Sequence, residues 1–146
     1  MTNAEMAQAL RDLRDFLIVA GYEESHAVRY TAIARTIEKM PEDIEELRRE
    51  GRLEEIPGVG PLIKSYLKEI LDTGRAESKV KEWVQFAPWS VTELCHISGI
   101  GAKTAQKLWH EHGIGSRESL CRALGEGKLE GVLGPKLLEA VRQACA

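Results

Sequence analysis

The sequence lacks the marks of several large classes of protein. Its longest uninterrupted apolar stretch, Phe16 to Ala20, is far too short to cross a bilayer, and no positively charged leader with an apolar run opens it. The expectation is a cytoplasmic protein, nucleoid-associated if bacterial, with no membrane partner. There are 3 cysteines, Cys95, Cys121 and Cys145, an odd number without CxxC spacing, in segments that read as helical. That pattern argues against a disulfide framework or a zinc site and predicts reduced, structural thiols. No segment alternates apolar and polar residues as a half-buried strand does, so an all-α fold is expected.

Excess positive charge is also missing. The net charge is −3, whereas proteins that hold nucleic acid by charge alone are usually basic. The charge is unevenly spread: residues 1–56 hold 8 Lys/Arg against 13 Asp/Glu, a net of −5, while residues 57–146 hold 12 against 10, a net of +2. A surface for a polyanion therefore belongs to the later part.

What is present is helical periodicity, with 43% hydrophobic residues over 146 positions, enough for a real core. Met6, Leu10, Leu13, Leu17 and Ala20 draw one apolar stripe, with Thr2 and Glu5 as a capping box and Gly21 as a stop. Ser25 is placed to cap a second helix with Val28, Ile33, Ile37 and Met40 facing inward. Pro41 suits the first turn of a third helix running to Gly51. A fourth begins at Pro61 and stops near Thr73-Gly74. The stretch Val84 to Ser90 breaks the period and marks a boundary between two tandem units, 1–84 and 91–146. In the second unit Ala105, Leu108 and Trp109 continue a helix to Gly113, Ser116 caps another, and Pro135 opens the last.

One device occurs twice. Leu53-Glu54-Glu55-Ile56-Pro57-Gly58-Val59-Gly60 and Leu94-Cys95-His96-Ile97-Ser98-Gly99-Ile100-Gly101 share the same order: short helix, hydrophobe, Gly-hydrophobe-Gly, longer helix. Glycine allows the tight turn, the hydrophobe between the glycines anchors it inward, and the backbone is left facing out. Free amides at the start of the second helix, aided by its dipole, suit a phosphate oxygen. One Gly-x-Gly is commonly just a helix–helix turn; two in the same context point to the regularly spaced phosphates of DNA, gripped without reading base sequence. The candidate DNA-binding residues are Gly58, Val59, Gly60 and Lys64 in the first hairpin and Gly99, Ile100, Gly101, Lys103, Thr104 and Lys107 in the second.

These stretches, with Arg29-Tyr30 and Ile37 to Pro41, resemble the amino-terminal region of family-X DNA polymerases. The resembling part there is a small lyase-type domain followed by the fingers-side subdomain, and it covers Asn3 to about Arg142. The resemblance implies non-sequence-specific DNA binding in a repair setting, with DNA and other repair proteins as partners of a monomer. It also implies a monovalent cation, Na+ or K+, at each hairpin, held by the carbonyls of Glu54, Ile56 and Val59 and of Cys95, Ile97 and Ile100. The polymerase palm has no counterpart in this sequence, so polymerization is not expected of these residues.

The resemblance fails where catalysis would sit. Removal of a 5′-deoxyribose phosphate through a Schiff base needs an amine at a fixed place on the helix after the first hairpin, and that place holds Tyr66. Lys64 and Lys68 lie two residues to either side, about 200° round the helix. The family's phosphate-gripping lysine is replaced by Leu62. The expectation is binding without catalysis, with two alternatives: a lyase using Lys64 or Lys68, and a protein-interaction module facing its partner with the acidic first half. Lys64 also stands where the motif has a small alanine, which Ala105 keeps in the second hairpin. Its stem must lie along the surface, or the first turn is distorted. His110 and His112, two apart on a helix, do not suggest a metal site. Trp83, Trp89 and Trp109 read as packing residues, Glu42 to Glu50 as a solvated acidic face, and Gly131 to Pro135 as a degenerate third hairpin with a structural role only.

Overall fold

The computed structural model describes residues 1–146, which form nine α-helices and two short 3-10 turns without a β-strand. Thr2 caps α1 (Asn3–Val19) by the reciprocal bonds of a capping box with Glu5, and α1 ends at Gly21, whose φ is +99°. Met6, Leu10, Leu13 and Leu17 are buried, as the spacing predicts. The second helix differs in detail. It runs Glu24–Lys39 with Glu23 rather than Ser25 at the cap, and Val28 is exposed at 51%. The buried stripe is Ala27, Tyr30, Ile33, Ala34 and Ile37, because the small alanines let α2 lie close against α1. Pro41 lies ahead of α3 (Ile44–Arg49), not in its first turn: the Asp43 carboxylate accepts from the Glu45 amide and sets the start.

A 3-10 turn, Leu53–Glu55, leads through the first glycine pair into α4 (Pro61–Thr73), which Gly74 ends at φ +98°. A short α5 (Glu77–Trp83) follows. The stretch 84–88 is non-helical, and a 3-10 turn at Trp89–Val91 then feeds α6 (Thr92–Cys95). The second glycine pair opens α7 (Ala102–His112). Ser116 caps α8 (Arg117–Gly125), and α9 (Pro135–Cys145) closes the chain.

The two halves share one core. A single cluster of 36 buried residues runs from Met6 to Val141, and α1 is the element that joins the halves. Phe16 packs on Trp89 with ring centroids 5.2 Å apart. Gln106 and His110 of α7 donate to the Ile18 and Val19 carbonyls at the end of α1, each at 2.8 Å, and Asp12 accepts from His96 Nε2 at 2.8 Å. The exposed carbonyls of a helix C-terminus thus find donors in the partner half.

The cysteine expectation is corrected. Cys121 of α8 and Cys145 of α9 form a disulfide, with Cα atoms 5.6 Å apart. Their separation of 24 residues carries no motif, and only the packing of α8 on α9 brings them together. Cys95 alone is a free thiol. Burial, and then the Asp15 carboxyl beside it, push its pKa up to about 12, so it stays protonated.

Candidate nucleic-acid interface

Both glycine repeats fold into the same turn. In the first, the Val59 amide donates to the Ile56 carbonyl at 3.0 Å across Pro57-Gly58; in the second, the Ile100 amide donates to the Ile97 carbonyl at 3.0 Å across Ser98-Gly99. Such a turn requires a left-handed residue at its third position, and Gly58 and Gly99 supply it at φ +87° and +90°. Val59 and Ile100 then dip into the core, at 6% and 3% exposure, while the four glycines stay exposed. The second glycine of each pair is the N-cap, with φ −96° in both and ψ −171° at Gly60 and −178° at Gly101.

The first ladder bonds run from Lys64 to the Gly60 carbonyl at 2.9 Å and from Ala105 to the Gly101 carbonyl at 3.0 Å. The amides ahead of them, Leu62 and Ile63 in one helix and Ala102, Lys103 and Thr104 in the other, have no partner in the ladder and face out at the positive end of the helix dipole. Neither cap has a side-chain acceptor to occupy these donors. A cap that leaves its donors open, in a helix opened by glycine rather than Ser or Asp, is suited to an external anion.

Lys64 does not distort the first hairpin, whose angles match those of the second. Its stem is partly buried and its ammonium reaches Glu54 at 2.9 Å. In the second hairpin Lys103 and Lys107 are exposed, and Lys103 Nζ lies 3.0 Å from the Glu24 carboxylate of α2. Lys103, Thr104 and Lys107 line one cleft with Val132, Gly134 and Leu137.

That cleft contains the third, degenerate hairpin that the sequence suggested at Gly131 to Pro135. Gly131 has φ +80° and Val132 donates to the Leu129 carbonyl at 3.0 Å, the same turn as in the two repeats, with Leu133 inserted before the N-cap Gly134. The inserted Leu133 is buried and accounts for the missing Gly-x-Gly spacing. Leu137 on α9 lies so close that a Cβ at Gly99 would meet its Cδ2 at 2.7 Å.

The position matching the lyase amine is sealed. Tyr66 is 4% exposed on α4, and burial, then nearby Glu82, raise its pKa above the ordinary phenol value. Tyr30 lies close by; burial pushes it to about 12 and the Tyr66 phenol adds to the shift. Leu62 is 61% exposed in the first turn of α4, and Lys68 is exposed. The tryptophans pack: Trp83 sits edge-on to Tyr22 at 5.1 Å, and Trp109 donates from Nε1 to the Phe86 carbonyl at 3.0 Å.

Two turn–helix units with matching open N-termini define a helix-hairpin-helix protein, and sequence comparison agrees. Residues 1–76 match the family described as "Helix-hairpin-helix domain", and residues 91–146 match that described as "SAM-like Helix-hairpin-helix tandem". The chain belongs to the helix-hairpin-helix family. Among individual proteins it is similar to the DNA polymerase/3'-5' exonuclease PolX of Bacillus subtilis (strain 168), at 23% identity over 141 residues. The match takes in 92% of this chain and 25% of the relative, so the chain spans about a quarter of that protein's length.

Proposed function

We propose that the protein binds DNA without sequence preference, through the backbone amides of its two hairpins, in the setting of DNA repair. The observation that carries this reading is the pair of matching open caps: two sets of outward amides, in equivalent geometry on one shared core. Lys103, Thr104 and Lys107 add a cation, a hydroxyl and a second cation around the second set. Lys64 adds a cation at the first. DNA is the polyanion that offers phosphates at repeating intervals, and amide-to-phosphate contacts carry no base information. The similarity to a DNA polymerase/exonuclease supports DNA as the ligand.

The hairpins also suit a monovalent cation. The carbonyls of Glu54, Val59, Cys95 and Ile100 accept no hydrogen bond within the protein, and those of Ile56 and Ile97 accept one each. Uncommitted carbonyl oxygens at an exposed turn are the ligands a hard cation takes. Such an ion would supply positive charge beside a bound phosphate.

Schiff-base catalysis finds less support. Tyr66 has no amine, Lys64 is engaged by Glu54, and Leu62 offers no charge to hold a 5′-phosphate.

The reading is tested by titrating binding of mixed-sequence duplex DNA against salt. Two hairpins and their lysines should neutralise roughly two to four phosphates, giving a log–log slope of about −2 to −4 at about 0.9 per phosphate. No complex at any salt concentration would exclude DNA as the ligand.

A further inference from the structure

Each hairpin has a lysine beside its open amides, and each of those lysines is already met by a carboxylate. Lys64 Nζ lies 2.9 Å from Glu54 Oε1, and Lys103 Nζ lies 3.0 Å from Glu24 Oε2. The second pair crosses between the halves: Glu24 belongs to the first turn of α2, while Lys103 belongs to the first turn of α7. Glu24 and Lys103 line one cleft together with Gly101, Ala102 and Thr104. The carboxylate therefore stands on the lysine, and beside the amides, where the reading above puts a phosphate.

The pair between the halves does little for the fold. The Glu24 and Lys103 side chains are 53% and 66% exposed, and exposed pairs of this kind are weak because water screens them. Glu24 holds its place without Lys103, because an acidic residue in the first turn of α2 is favoured by that helix's own dipole. A carboxylate and a phosphate oxygen seek the same ammonium, so the two compete.

We propose that Glu24 and Glu54 act as built-in competitors for the phosphate at the two hairpins, setting how much negative charge a ligand must bring before it is held. The inference rests on the DNA-binding reading and names residues that tune it. A ligand reaching one hairpin exchanges one anion for another at the lysine and gains little there. DNA that reaches both hairpins adds the amide contacts of two helix starts and overcomes both carboxylates together.

The test is a double-mutant cycle read by fluorescence anisotropy with mixed-sequence duplex DNA at low salt, using the whole chain. Glu24→Gln is compared with Glu23→Gln, which removes the same charge one residue away, from a carboxylate that faces His26 and Ser25 instead of Lys103. Glu24→Gln should bind DNA about two- to five-fold more tightly than Glu23→Gln, the range an exposed pair allows. The difference should vanish when Lys103 is changed to Ala in both. Circular dichroism checks that all variants keep their helices. Equal affinities for the two glutamine variants, or a gain that survives Lys103→Ala, would overturn the inference while leaving DNA binding intact. Loss of the complex in every protein, wild type included, would overturn the DNA reading and this inference with it.

Discussion

At the scale of single residues, the glycines of a hairpin are not equivalent. Gly99 is held at φ +90°, where an L side chain is strained, and its missing Cβ leaves room for Leu137. Gly101 has extended backbone that any residue adopts, and a Cβ there meets nothing within 4 Å. Gly99→Val should therefore destabilise the fold by about 1–3 kcal/mol, read as a lower midpoint in urea denaturation. A midpoint equal to wild type would show that the turn tolerates a side chain. The importance of Gly99 was legible in its spacing, but its contact with Leu137 was not, because it joins residues from separate helices. Val28 shows the same limit. The apolar period accepts it as a core residue, yet Ala27 takes the inward place beside α1, since helix contact favours the smaller side chain.

At the scale of elements, start and stop signals were the most legible part. Thr2, Ser116, Gly21, Gly74 and Gly113 act locally, through a hydroxyl on a nearby amide or a positive φ, and so can be read from a few neighbouring letters. The disulfide between α8 and α9 could not be read that way, because it depends on which faces of two helices meet. It ties α9, whose start lines the cleft with Lys103 and Lys107, to the body of the second half. A crosslink closing a loop of this size contributes about 3 kcal/mol by the chain-entropy account. Reduction, or Cys145→Ser, should lower Tm by roughly 6–12 °C for a chain of this length. An unchanged Tm on reduction would mean that packing alone fixes α9.

At the scale of the whole molecule, α1 makes the two hairpins parts of one body. Its C-terminal carbonyls receive Gln106 and His110 from α7, its Asp12 meets His96 beside the second turn, and Phe16 meets Trp89. The repeat was visible in sequence, and so was the all-α class, because both rest on local pattern. The joining of the halves was not visible, since polar bonds to a helix end leave no periodic trace. The acidic balance of the chain is consistent with this arrangement: Lys64 and Lys103 are each matched by an acidic residue, while Lys107 is not, and no helix is long and apolar enough to cross a membrane.

In the proposed binding mode, outward backbone amides at the two caps hold the phosphates. Gly60→Val and Gly101→Val test it most directly. Both positions have extended backbone and open space for a Cβ, so the fold should survive, while a branched side chain would stand over the donors. Affinity for duplex DNA should fall roughly tenfold or more for each change, as expected when a hydrogen bond to a charged group is lost. Full affinity in the folded double variant would contradict the account.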